Sequence, residues 1–288
     1  MRFLDTKNDH ILRKNKDVSP TRGPVSPLSV YYQNVGGLRS KLIELRLALS
    51  NCKYDIIVFT ETWLNESIPS SYFSDERYVI FRWDRKNSPF NRGGGVLIAC
   101  RSTLGPAKME PVDHAIEQVW VRLTRTNPTI VLGAIYLPSV GVCNVTTNDV
   151  LSKSIHDITC LTTKNDMIFV MGNFNQRCIS WTGPRTFSDK DSNATFDYYE
   201  PIREPTGSLH FVNAIDSNKL LQLSSIKNPN ERQLDLVFGN IPAAKACSEV
   251  QKSEAPIMKV DPHHPALQMS ISVHPTGIFN LSKSHADS

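Results

Sequence analysis

Two asparagines close a short polar turn directly after one of the most apolar runs in the chain. Residues 167–171 (MIFVM) have the length and bulk of a buried strand, and Gly172, Asn173, Phe174 and Asn175 come directly after them. Gly172 permits a tight turn at this point. Because α/β proteins place their chemistry at strand ends, Asn173 and Asn175 are candidate site residues. The tetrad alone is a weak signal, so its weight depends on the residues at the ends of the other strands.

Further polar side chains lie at or near other apolar runs, in an order along the chain that is compatible with a single site. Taken singly, each has an ordinary explanation as a turn residue, a solvated strand end or a packing tyrosine. Asp235 is harder to dismiss, because it falls inside an apolar run and a buried carboxylate needs a partner. The candidates are Asn34, Glu61, Tyr136, Asp235, Asp261, His263 and His264.

The elements that must position these residues are numerous strands, some linked as hairpins and some separated by helices. This pattern favours a mixed-sheet α/β domain over a simple parallel sheet. Gly93, Gly94 and Gly95 precede a strand, whereas nucleotide-binding glycine motifs precede a helix, so we interpret them as a turn. The predicted strands are 29–34, 55–60, 96–99, 118–123, 130–136, 167–171, 234–238 and 267–273, with helices at 40–50, 150–158 and 209–215 and a polar loop at 181–207.

Composition and charge set broad limits. The 288 residues are 40% hydrophobic, enough for one large domain or two small ones. The net charge of +4 is compatible with a nucleic-acid partner but too mild to argue for one. Six scattered cysteines form no C-x-x-C pair, which indicates free thiols in a reducing compartment rather than a zinc or redox motif. We predict a flexible leader at 1–27, an ordered domain at 28–275 and a frayed tail at 276–288.

The motifs together resemble the endonuclease/exonuclease/phosphatase domain, and most of all its version in the reverse-transcriptase polyproteins of LINE-like (jockey-like) non-LTR retrotransposons. The resemblance covers about residues 28–275 and implies a four-layered α-β-β-α sandwich, in which two mixed sheets are flanked by helices. The matching segments, in order, are 33–38 (QNVGGL), 60–64 (TETWL), 82–85 (RWDR), 93–96 (GGGV), 136–138 (YLP), 172–175 (GNFN), 234–238 (LDLVF) and 263–265 (HHP).

The resemblance also implies roles for individual residues. Glu61 would be the carboxylate that binds a divalent metal, Mg²⁺ or alternatively Mn²⁺, with Asn34 beside it. Asn175 would hold the phosphate and the attacking water, and Tyr136 would touch the scissile phosphate. Asp235 would orient the essential histidine, as carboxylates do in other triads.

Two positions depart from the family pattern. Asn173 stands where the family has an aspartate that activates or orients the attacking water, and an amide cannot accept a proton. Losing a general base typically costs about 10²–10⁴ in rate. The family commonly has Ser-Asp-His-x-Pro near the histidine; here Pro262 replaces that aspartate and Asp261 lies one place early. Gapless spacing favours His263 as the essential histidine, with His264 as the alternative.

The function implied is a DNA endonuclease that nicks one strand and leaves a 3′-hydroxyl. The alternatives are a catalytically inactive, nucleic-acid-binding relic and a small-molecule phosphatase. In the family a reverse transcriptase domain lies on the same polypeptide, and these 288 residues contain none. Without an apolar signal core or membrane-length run, we expect an intracellular protein, nuclear by its family role. Candidate DNA contacts are Arg39, Lys41, Arg82, Arg85 and Arg92, with Arg185, Tyr198, Tyr199 and Arg203 in the 181–207 loop.

Overall fold

The computed structural model describes residues 26–86, 93–139, 145–188, 194–202 and 209–275. The α-helices are α1 (Leu42–Asn51), α2 (Val145–Cys160), α3 (Leu209–Ser217) and α4 (Ile241–Ala246). The strands are β1 (Ser26–Asn34), β2 (Ile56–Thr60), β3 (Tyr78–Trp83), β4 (Val96–Arg101), β5 (Pro106–Met109), β6 (Glu117–Leu123), β7 (Thr126–Asn127), β8 (Ile130–Tyr136), β9 (Met167–Asn173), β10 (Ser180–Trp181), β11 (Arg185–Ser188), β12 (Thr195–Tyr198), β13 (Pro201–Ile202), β14 (Leu221–Gln222), β15 (Asp235–Gly239), β16 (Gln251–Lys252) and β17 (Leu267–Pro275).

Two mixed sheets form the centre of the molecule. The first has the order β16-β17-β1-β2-β4-β3, with β7 paired to β17, and the second has the order β14-β15-β9-β8-β6-β5. Each contains one parallel pair, β1 with β2 and β8 with β9, and the remaining pairs are antiparallel. The predicted pair of mixed sheets is therefore confirmed.

Among the described residues, three hydrophobic clusters fill the spaces between the layers. The central core lies between the sheets, where Val58 of the first sheet and Leu132 and Phe169 of the second are buried. Helix α1 packs Leu45 and Leu49 on the outer face of the first sheet. Helices α2 and α3 pack on the outer face of the second sheet through Leu151, Ile155, Ile158, Phe211, Val212 and Ile215. This order of helices, sheet, sheet and helix is the predicted four-layered sandwich.

The period-2 geometry of strands decides which residues enter the space between the sheets. In β8, Leu132, Ala134 and Tyr136 belong to the central core, whereas Val131 and Ile135 belong to the outer one. Strand directions bring the last residues of β1, β8 and β9 and the first residues of β6 and β15 to one end of the sandwich. Polar residues at those positions therefore meet at a shared rim.

Several predicted boundaries differ from the structure. Strand β1 begins at Ser26, inside the predicted leader, while residues 1–25 and 276–288 lie outside the described residues. The predicted loop at 181–207 contains the antiparallel hairpin β11–β12, where Phe187 and Phe196 stack 5.0 Å apart. Its polar composition concealed the pairing. Within the described ranges, no helix has both the length and the apolar character needed to cross a membrane.

Candidate active site

A row of polar side chains crosses the second sheet at one end of the sandwich. Tyr136 of β8 is in register with Asn173 of β9, and Asn173 is in register with Asp235 of β15. Glu117 of β6 continues the row as the partner of Tyr136. All four side chains are buried. Partners in register project to the same face of a sheet, so the ladder brings together three predicted residues that are far apart in sequence.

The first sheet contributes Asn34 and Glu61 to the same end. Asn34 ends β1 opposite Thr60 of β2, so Glu61 lies one residue beyond this pair. The carboxylate of Glu61 accepts hydrogen bonds from the backbone N–H of Gly94 (2.9 Å) and the indole N–H of Trp63 (2.6 Å). The Tyr136 hydroxyl, on the second sheet, lies near enough to the Glu61 carboxylate for Glu61 to act on its pKa. Burial, followed by the charge of Glu61, raises the pKa of Tyr136 well above its ordinary value.

Glu61 and Asn34 fit a hard divalent cation by the chemistry of their donors. Mg²⁺ prefers oxygen ligands, and proteins commonly supply one or two carboxylates while water and substrate complete the shell. Glu61 offers a carboxylate and Asn34 an amide oxygen, which also accepts the N–H of Gly36 at 3.2 Å. Among the described residues, no group of three or more His, Cys, Asp and Glu side chains could hold a metal. Because Glu61 and Asn34 both offer oxygen rather than imidazole or thiolate, this pair fits a magnesium-type ion better than a zinc centre.

The Asn173–Asn175 turn is held by its own side chains. The side-chain oxygen of Asn173 accepts the backbone N–H of Asn175 at 3.1 Å, and the Asn175 amide donates to the carbonyl of Leu137 at 2.7 Å. Asn175 has a left-handed backbone (φ 53°). Gly172 is required where β8 and β9 approach each other, because a Cβ there would overlap the carbonyl oxygen of Ile135.

The histidine that contacts Asp235 is His264, so the predicted pairing of Asp235 with His263 is wrong. The Nδ1 atom of His264 lies 2.8 Å from Oδ2 of Asp235. The His263 side chain is exposed, with its Nδ1 3.4 Å from the Asn230 amide. The cause is a turn at Asp261, which accepts the N–H of His263 with its side chain and that of His264 with its carbonyl, both at 2.9 Å. This turn directs His264 towards Asp235.

Two opposing effects determine the pKa of His264. Burial acts to lower this pKa, but the hydrogen bond and charge of Asp235 outweigh it, with smaller contributions from Asp261 and Glu61. The net result is a raised pKa. His264 therefore retains a proton more readily than a free imidazole.

Glu117 and Tyr32 make contacts in this region that the sequence did not reveal, and Arg85, a predicted DNA contact, is paired with Glu117. Glu117 accepts hydrogen bonds from Arg85 Nε and from the backbone N–H of Gly95, both at 2.5 Å. Burial raises the pKa of Glu117, while Gly95 and Arg85 act to lower it. The sequence signal that could have identified Glu117 was its position directly before the predicted strand 118–123, whose partner strand ends at Tyr136. Tyr32 donates to Oδ1 of Asp235 at 2.5 Å.

Several of the predicted DNA-binding residues are already engaged within the protein. Arg82 is paired with Asp84 and bonded to the Asn65 carbonyl, both at 2.7 Å. Arg85 is held by Glu117 and lies over the Tyr136 ring, 5.5 Å from its centroid. Arg39 donates to the Trp63 carbonyl, Lys41 lies 3.4 Å from the Val35 carbonyl, Tyr198 contacts Glu200, Tyr199 bridges to Gln222 and Arg185 pairs with Glu200. Arg92 and Arg203 lie outside the described residues.

Comparisons with known proteins agree with this fold. The sequence model described as "Endonuclease/Exonuclease/phosphatase family" matches residues 32–256. A search of curated protein sequences finds no match.

Similar solved structures include AP endonuclease LMAP from Leishmania major, with a TM-score of 0.61, 15% identity and 92% of each chain covered. The 3′-5′ exonuclease NExo from Neisseria meningitidis has a TM-score of 0.57 and 14% identity, covering 85% of this chain and 99% of that one. The endonuclease domain of TRAS1, a telomere-specific non-LTR retrotransposon, has a TM-score of 0.54 and 11% identity, covering 85% and 98%. These identities show a shared fold.

Proposed function

Because this chain belongs to the endonuclease/exonuclease/phosphatase family, we propose that it is a metal-dependent DNA endonuclease of a non-LTR retrotransposon. It cleaves one strand of a duplex and leaves a 3′-hydroxyl. The observation that carries the proposal is the polar rim at one end of the sandwich. There Tyr136, Asn173 and Asp235 lie in register along the second sheet, and Asp235 holds His264 at 2.8 Å.

The geometry supports a different role for each of these residues around a phosphodiester. Asn34 and Glu61 would hold a divalent cation, which when bound offsets the charge that builds on the phosphoryl oxygens. Tyr136 and Asn175 would donate hydrogen bonds to the phosphate. His264, protonated and oriented by Asp235, would donate its Nε2 proton to a phosphoryl oxygen. Arg85 is a nearby cation whose position is fixed by Glu117.

Asn173 lowers the rate of this chemistry without changing the shape of the site. Its side-chain oxygen accepts the Asn175 N–H, a hydrogen bond that an aspartate oxygen could accept equally well. A neutral amide, however, cannot take a proton from the attacking water. We therefore propose that the natural chain cleaves DNA about 10²–10⁴ times more slowly than a chain with an aspartate at position 173 would.

A second candidate function rests on the same residue. A protein that keeps the fold and lacks a proton acceptor at 173 could bind nucleic acid without cutting it. Asn173 is the specific observation that favours this non-catalytic relic. The two functions differ in one measurable property, which is whether the natural chain nicks DNA at all.

The deciding experiment compares the natural chain with Asn173→Asp on supercoiled plasmid in Mg²⁺. We expect slow nicking by the natural chain and nicking about 10²–10⁴ faster by the variant. A polymerase should extend the nicks, because they carry a 3′-hydroxyl. Asn173→Asp combined with His264→Gln is the matched control and should be inactive. Nicking by the variant alone would establish the relic, and equal rates would contradict the role given to Asn173.

A further inference from the structure

Tyr32 reaches from one sheet to the other in the interior of the sandwich. It lies on β1, where its neighbours in register are Val58 of β2 and Leu267 of β17. The side chain is only 2% exposed. Its hydroxyl lies 2.5 Å from Oδ1 of Asp235, which belongs to the second sheet and is 203 positions away in sequence.

Both oxygens of Asp235 are occupied by this arrangement. Oδ1 accepts the Tyr32 hydroxyl, and Oδ2 contacts Nδ1 of His264. Asp235 is 3% exposed, so solvent cannot replace either partner at low cost. A carboxylate fixed at one oxygen has a defined plane, and that plane determines where the other oxygen meets the imidazole.

The number of hydroxyl protons determines which group donates in the hydrogen bonds that Tyr32 makes with Asp235 and Thr60. Tyr32 has one hydroxyl proton, which goes to Asp235. The hydroxyl of Thr60, 2.9 Å away, then donates to the phenolic oxygen. Because a carboxylate can only accept, Tyr32 is the donor in its hydrogen bond with Asp235. Thr60, Tyr32, Asp235 and His264 thus form one continuous chain of hydrogen bonds.

We propose that Tyr32 is a positioning residue that fixes the Asp235 carboxylate so that it accepts the Nδ1 proton of His264 and holds the imidazole in one orientation, a role that rests on the proposed hydrolase function. Nε2 is then the ring nitrogen left to meet the substrate. Tyr32 touches neither substrate nor metal in this role. Its effect reaches the reaction through the orientation of the imidazole.

The test uses Tyr32→Phe in the full chain, with Tyr31→Phe as the matched control. Tyr31 is a fully buried neighbour whose hydroxyl bonds Gln33 (2.7 Å) and the Ile257 N–H (2.9 Å) on the opposite face of β1. Both variants keep the ring that fills the core and remove one buried hydroxyl. Thermal unfolding shows whether each variant folds.

The first readout is independent of activity. The His264 Nδ1 proton should appear as a ¹H NMR resonance well downfield of the backbone amides, assigned by its loss in His264→Gln. We expect Tyr32→Phe to shift and broaden this resonance and Tyr31→Phe to leave it unchanged. An unchanged resonance in Tyr32→Phe would overturn the proposal, even if both variants lose stability.

The second readout is the rate of nicking, measured in the Asn173→Asp background. We expect Tyr32→Phe to lower kcat about tenfold with little change in KM, as for partners that orient a functional imidazole. An undiminished kcat would overturn the proposal. If no form of the protein nicks DNA, the proposed function fails, while the NMR comparison still decides whether Tyr32 positions His264.

Discussion

Arg85 and Glu117 form a largely buried ion pair beside the candidate active site. The guanidinium Nη2 lies 2.5 Å from the Glu117 carboxylate, which also accepts the Gly95 N–H at 2.5 Å. The glycines are essential to this arrangement, because a Cβ on Gly94 would overlap both charged groups. The ion pair therefore joins the β3–β4 connection to the rim of the second sheet next to Tyr136.

Replacing Glu117 by glutamine should destabilise the protein by about 3 kcal/mol. Removing one member of a buried ion pair leaves the other charge uncompensated, at a typical cost of roughly 3–5 kcal/mol. The lower end applies because a quarter of the Arg85 side chain is exposed. The free energy of unfolding in urea measures the effect. Glu110→Gln is the control, since it breaks the exposed Lys108–Glu110 pair and should cost less than about 1 kcal/mol. Equal losses of stability in Glu117→Gln and Glu110→Gln would show that the Arg85 charge is not held in a buried position when its partner is removed.

The polar row of the second sheet was partly predictable from sequence. Tyr136 and Asn173 lie at the ends of apolar runs and Asp235 lies inside one, and period-2 alternation in each strand is compatible with a shared face. Glu117 was missed because an acidic residue just before a strand normally indicates a solvated end. Tyr32 was missed because a tyrosine in an apolar run normally indicates packing. Their contacts depend on how the two sheets stack, which local patterns do not contain.

The choice between His263 and His264 likewise depended on contacts that sequence patterns do not contain, here between residues close together in the chain. Gapless spacing favoured His263, but the side chain of Asp261 caps the turn and directs His264 inward. This geometry depends on hydrogen bonds within four residues and not on motif spacing.

The hairpin β11–β12 was missed for a related reason. Its strands are short and polar, so pairing rather than hydrophobic alternation defines them.

The pair formed by His264 and Asp235 should make stability depend on pH. The pKa of His264 in the folded state is raised above its ordinary value of 6.5 by Asp235, against the effect of burial. A raised pKa in the folded state contributes stability that is fully present below pH 6.5 and is lost as pH rises through the folded pKa. Asp261 and Glu61 add to this effect.

The measurement is the difference in unfolding free energy between the natural chain and His264→Gln across pH 6–9. We expect the natural chain to have its largest advantage at the acidic end and to lose it progressively towards the alkaline end. His263→Gln is the comparison variant, because its exposed ring contacts Asn230 rather than Asp235. A constant difference across the whole range would contradict a raised pKa for His264.

Arg39 and Lys41 should contribute to duplex binding through phosphate contacts at the Asn34 end of the sandwich. Arg39 is bonded to the carbonyl of Trp63, whose indole in turn holds Glu61. Each lysine or arginine that neutralises a phosphate releases condensed counterions and steepens the dependence of affinity on salt. Replacing both by alanine should therefore weaken binding and reduce the magnitude of the slope of log K against log [salt] by about 2.

Fluorescence anisotropy with a short duplex in EDTA measures this slope without cleavage. Lys164→Ala is the control, because Lys164 is exposed and lies just before β9, at the opposite end of that strand from Asn173 and roughly 20 Å away. This substitution should leave the slope unchanged. If Lys164→Ala lowers the slope as much as loss of Arg39 and Lys41, duplex binding is spread over the surface instead of being directed to the rim that carries Asn34, Glu61 and His264.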